Sequence, residues 1–128
     1  MSLVFEDLKQ SAQKAMQSSD WQTAVTDWEA ALKETEGFPD GDGRQVVSLE
    51  GLAMTRFHRG EYDEAEFLLK RALVLRKDEQ GKECKDVAVL ERNLGVVLFS
   101  AGRYAEAHNH LEKSLNIKKA IFGADHIE

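Results

Sequence analysis

The chain has little of what marks a secreted, membrane or nucleic-acid-binding protein. Its 128 residues include one cysteine and one proline, and only 8% are aromatic. A lone Cys84 cannot close a disulfide within the chain, which excludes a disulfide-built secreted scaffold. No apolar run approaches the roughly 18 residues of a bilayer span, and no basic stretch followed by an apolar core opens the chain, so no membrane partner is expected and the default location is cytoplasmic. A basic surface is missing too: 17 Lys and Arg face 23 Asp and Glu, a net charge of -6, which argues against nucleic acid. Scarce proline and aromatics suit an all-α chain better than a sandwich or barrel.

What is present is a repeat. Trp21, Tyr62 and Tyr104 recur at steps of 41 and 42 residues, and the same steps carry Ala24 to Ala65 to Ala107 and Leu32 to Leu73 to Leu115. Upstream, Leu8 matches Leu49, and Ala12 matches Ala53 and Gly95; the second step also carries Leu52 to Leu94, Phe57 to Phe99 and Gly60 to Gly102. Within a unit, Ala65, Leu68, Leu69, Ala72 and Leu73 fall on one helical stripe, and Leu49, Leu52, Ala53 and Phe57 form a shorter one ahead of it. Gly60 and Gly102 separate the two stripes by closing the first helix at φ > 0. In the first unit Ser19 replaces the glycine and Asp20 is the expected N-cap. The pattern predicts helices near 4–17, 20–35, 44–58, 61–79, 86–100 and 103–121. Small residues at Ala12, Ala53, Gly95, Ala24, Ala65 and Ala107 let helix axes approach closely, while Trp28, Leu69 and Leu111 fill the space between pairs. Units that bury their apolar faces only against neighbours build a solenoid.

These residues make the chain similar to the tetratricopeptide repeat (TPR) family. The pattern L-G/A, then G-x-Y/W-x-x-A, then a bulky residue and A-L, is met by Leu94-Gly95, Gly102-Arg103-Tyr104, Ala107, Leu111 and Leu115. The second unit meets it with Leu52-Ala53, Gly60-Glu61-Tyr62, Ala65, Leu69 and Ala72-Leu73. The first keeps Trp21, Ala24, Trp28 and Ala31-Leu32. The period exceeds the usual 34 or so. It resembles the kinesin-light-chain-like subclass, as do Arg71 to Arg76, Asp86-Val87-Ala88 and Phe122-Gly123-Ala124-Asp125-His126, where Ile127 stands in place of a proline. The resemblance implies one domain over 1–128, a right-handed α-solenoid of three helix-turn-helix units at 4–36, 44–79 and 86–121, with 122–128 opening a linker to a fourth. It also leaves the last helix uncapped, so Leu111, Leu115, Ile121 and Phe122 are an expected edge for a further piece of chain or for homo-oligomer formation.

In this family the first helices of successive units line a concave groove, which implies a peptide or helix of another protein as partner. The groove rows would be Lys9, Gln13 and Met16; Glu50, Met54 and Phe57; and Arg92, Val96 and Phe99. Lys9, Glu50 and Arg92 then form one rank of alternating sign that sets register, or simply pair with one another. Helix phase leaves open whether Phe57 and Phe99 face the groove or pack inward. Asn93 matches a position that faces the ligand backbone in the subclass, the alternative being a solvated polar residue. The carboxylate clamp of chaperone-binding members is not expected, because Gly51, Val89 and Asn93 stand where it would want Asn, Lys and Arg.

Chemistry finds no foothold, and neither an enzymatic role nor a cofactor or metal is expected. His108 and His110 point about 200° apart on a helix and cannot share an ion. Asp40-Gly41-Asp42-Gly43 lacks the later ligands of a calcium loop and is better taken as a turn. Cys84, beside Lys82 and Lys85, is expected in a linker.

Overall fold

The computed structural model describes residues 2–39, 41–81 and 84–123. Six helices follow one another, with no strand among the described residues: α1 (Ser2–Gln17), α2 (Trp21–Glu34, running into a 3-10 turn at Thr35–Gly37), α3 (Arg44–His58), α4 (Tyr62–Gln80), α5 (Lys85–Ser100) and α6 (Tyr104–Phe122). Each lies within two residues of the span that periodicity predicts.

The turns inside the pairs are built alike. Gly60 and Gly102 take φ of 79° and 83°, and in both turns the amide after the glycine bonds back to a carbonyl of the helix just ended, Glu61 to Arg56 and Arg103 to Leu98 at 2.9 Å. Ser19 adopts the same left-handed conformation at φ 58°, so the first unit keeps the turn without the glycine. Asp20 then caps α2 by accepting the Thr23 amide at 3.2 Å. Between units one and two, Arg44 holds the linker: it donates to Asp42 from its amide and guanidinium at 2.7–3.0 Å and lies 3.9 Å from the Phe38 ring centre. Those bonds pull the Asp42 carboxyl down to about 2. Cys84 is not a bare linker residue. It is the N-cap of α5, its Sγ accepting the Val87 amide at 3.4 Å. Of the expected linker after α6, residues 124–128 lie outside those described, as does Asp40 of the glycine-rich turn.

Packing follows the repeat. Ala12, Ala24, Ala53, Ala65 and Ala107 are at most 1% exposed, and each helix packs chiefly on its chain neighbours: α1 on α2, α3 on α4 and α5 on α6 within pairs, α2 on α3 and α4 on α5 between them. Trp28 of α2 lies on Gly51 of α3, in the junction between the first two pairs, and Leu69 is fully buried, whereas Leu111 of α6, expected between pairs, packs on Gly95 of α5 within its own pair because the missing Cβ there leaves it room. The result is an all-α solenoid of three helix-turn-helix units. At its C-terminal end Leu111, Leu115, Ile121 and Phe122 remain 38–44% exposed.

Candidate functional site

The first helices α1, α3 and α5 stand in a row, since α1 touches α3 and the Asn93 amide of α5 donates to Glu50 of α3 at 3.0 Å. On α1, Lys9 pairs with Glu6 of its own helix at 3.3 Å, Gln13 is exposed, and half-buried Met16 accepts the Trp28 indole N–H at 3.3 Å. On α3, Glu50, Met54 and Phe57 are all half-buried, with the Phe57 ring 5.2 Å from His58 and 5.8 Å from Tyr62. On α5, Arg92 is exposed, Val96 half-buried, and Phe99 60% exposed with its ring 5.1 Å from Tyr104. Lys9, Glu50 and Arg92 do not pair with one another, and among the described residues Arg92 has no ion-pair partner. Asn93 is neither solvated nor free: it is 8% exposed and its amide is engaged by Glu50.

Glu50 lies on the wall of a hollow of about 210 Å³ between α3, α4 and α5 that also includes Val47, Arg76, Asp86 and Val89. Burial there, aided by the nearby Asp86 charge, pushes its carboxyl up against the opposing pull of Arg76, Asn93 and Arg92. The row as a whole therefore offers half-buried and exposed apolar groups beside a cation at Arg92 and a carboxylate whose charge is costly to keep. Such an arrangement can bury apolar side chains of a partner and meet its charges; it holds no nucleophile and base in hydrogen-bond reach of each other.

Two features escaped the sequence pattern. His58 stacks on Trp21, rings 4.6 Å apart and 6° from parallel, tying the first two units together. Glu91, only 1% exposed, sits in the core of the third unit with its Oε1 2.7 Å from Nδ1 of His110 and its Oε2 3.7 Å from Lys77. The signal was a break in the repeat: the positions of Leu49 and Leu68 in unit two become Glu91 and His110 in unit three. His108 instead faces outward and pairs with Glu112 at 3.5 Å, so the two histidines do diverge, and no group of three His, Cys, Asp or Glu among the described residues is placed to hold a metal.

A family model described as tetratricopeptide repeat matches residues 44–120. The chain belongs to the tetratricopeptide repeat family. A comparison with curated proteins finds no match. Among solved structures, this TPR chain is similar to BtubC (BKLC) from P. vanneervenii, at 18% identity and TM-score 0.78, over 92% of this chain and 47% of that one. It is also similar to a Podosopora anserina protein assigned as a kinesin light chain with nearly identical TPR-like repeats, at 19% identity and TM-score 0.82, over 94% of this chain and 58% of that one. The TPR chain thus spans about half the length of these structures, and at such identities the likeness concerns the fold. No described helix is long and apolar enough to cross a membrane.

Proposed function

We propose that this TPR chain is a cytoplasmic, non-catalytic interaction module of the kinesin-light-chain-like subclass that binds a peptide or helix of another protein along α1, α3 and α5. The observation that carries the proposal is the combination on α5 of Phe99, 60% exposed on a helix face, with Arg92 exposed and unpaired among the described residues. Solvent-facing aromatic area beside an unsatisfied cation suits a segment that carries an acidic residue next to apolar ones. Met54 and Val96 extend the apolar strip, and Met54 can adapt its shape to the occupant. The row is more polar at α1, where Lys9 and Gln13 stand, so affinity would concentrate on units two and three. Asn93 supports the strip by holding Glu50 rather than by reaching the ligand.

The test is a displayed peptide library selected on the wild-type chain and re-screened on Arg92→Glu with Phe99→Ala, circular dichroism checking that both stay helical. Enriched sequences that carry acidic and apolar residues and fail to bind the variant are expected. Sequences bound equally by both proteins would place recognition elsewhere.

A further inference from the structure

A hollow of about 340 Å³ opens between α3 and α4, on the side of α3 turned away from the row of first helices. Leu52 and Arg56 line it, each two residues on from Glu50 and Met54 and so about 200° round the helix from them. Leu52 and Leu68 on its floor are 5% and 9% exposed, whereas Phe67 on its wall is 66% exposed. The repeat does not call for that aromatic, because the steps of 41 and 42 residues set Phe67 against Thr26 and Asn109, both exposed. Two of the three units thus fold with a polar residue there, and Phe67 adds solvent-facing apolar area that packing of the pair does not need.

The lip of the hollow is negative. Asp63 and Glu64 line it, exposed and without an ion-pair partner among the described residues. The two arginines that share hollows with them are committed elsewhere: Arg56 to Glu61 and Glu29 at 2.9 and 3.0 Å, and Arg103 to Glu66 and Glu106 at 2.6 and 2.8 Å. An acid in the first turn suits the dipole of any helix, yet Gln22-Thr23 and Ala105-Glu106 stand at the same places in the other units. Two free carboxylates with an exposed aromatic one turn on are therefore particular to α4.

We propose that this hollow docks a segment of another protein in which a large apolar residue stands beside a Lys or Arg. The apolar side chain enters against Leu52, Phe67 and Leu68, and the cation meets Asp63 and Glu64. Charge complementarity decides the occupant: an acidic segment is repelled here, whereas Arg92 on the opposite side of the solenoid attracts one. The inference does not depend on the row of first helices being a peptide site.

A synthetic array of hexapeptides that varies one apolar and one charged position, titrated against the chain 1–128, tests this. Peptides with Phe or Leu next to Lys or Arg are expected to bind most tightly, and less so as salt rises. Phe67→Thr should lower their affinity by about tenfold or more, and Asp63→Asn with Glu64→Gln should remove the salt dependence. Circular dichroism should be unchanged in both, since all three side chains are exposed. Arg92→Glu with Phe99→Ala should bind these peptides as the wild type does. Loss of binding in that variant but not in Phe67→Thr would place the peptides on the row and overturn the proposal. An array without binders, or with basic peptides bound equally by wild type and Phe67→Thr, would overturn it too. A preference at this face for Phe or Leu next to Asp or Glu would overturn the assigned charge of the partner.

Discussion

Gly51 shows how far a single missing Cβ reaches. The Trp28 ring lies across it so closely that a Cβ would fall inside the closest approach of two carbons. Trp28 is 2% exposed and its indole N–H is anchored on Met16, so the ring has no room to swing aside. In an open helix Gly→Ala gains up to about 1 kcal/mol, whereas overpacking a closed site costs about 1–3 kcal/mol. Gly51→Ala is therefore expected to lower stability by about 1–2 kcal/mol in urea titrations; an unchanged or raised midpoint would mean that α2 and α3 can separate freely. Glu50 offers a pH test. Its folded carboxyl is raised above the ordinary 4.5, so the folded state holds that proton more tightly than the unfolded chain. Stability from this group is then full below 4.5 and declines as pH rises through the folded value. Glu50→Gln keeps an acceptor for Asn93 and should melt higher than wild type at neutral pH, with the advantage gone in acid. An advantage that grew in acid would contradict the assignment. Neither feature was legible beforehand, since the repeat placed Gly51, Glu50 and Asn93 on their helices but not the crossing that brings Trp28 or Glu50 to them from another element.

At the scale of the element, what the sequence did specify was helix period and turn chemistry, both local properties. Stripes of Ala and Leu at helical spacing located all six helices, and glycine or Ser19 located the turns. Phase is harder, because one residue turns a helix by about 100°, and whether Phe57 and Phe99 are sheltered depends on what stands beside them. Phe57 has His58 and Tyr62 around it and is half-buried; Phe99 has Tyr104 and stays 60% exposed. The α5–α6 pair differs from α3–α4 in its core, where Glu91 and His110 replace the buried Leu49 and Leu68. A pair of leucines needs no partner, but a carboxylate that is 1% exposed does. Replacing either member alone leaves a buried polar group short of its bond, and losses of about 3 kcal/mol are expected for Glu91→Leu and for His110→Leu. The double replacement restores the arrangement of unit two and should come within about 1 kcal/mol of wild type or exceed it. A double-mutant cycle from chemical denaturation reads the coupling directly. Additive losses would show that the two residues stabilise unit three independently.

On the scale of the whole molecule, stability is shared along the row of helices rather than held in one centre. Helices pack chiefly on their chain neighbours, so the third unit is joined to the rest mainly through α4 on α5, together with the Asn93 bond to Glu50 and the Arg103 fork on Glu66 at 2.6 and 3.1 Å. That fork also holds the Glu66 carboxyl low: burial pushes it up, but the hydrogen bonds from Arg103 and Lys70 outweigh the burial. If the chain is cut after Gly81, the buried Leu69, Ala72 and Leu73 lose the Val87, Leu90 and Leu94 side of the core. Two units then remain, fewer than the three or so that repeat arrays need to bury a continuous core. The fragment 1–81 is accordingly expected to show much lower helicity per residue by circular dichroism and a broad thermal transition, while the intact chain melts in one step. A fragment that melted as sharply, and as high, as the whole chain would mean that α1 to α4 form a self-sufficient core and that the third unit is an appendage to it.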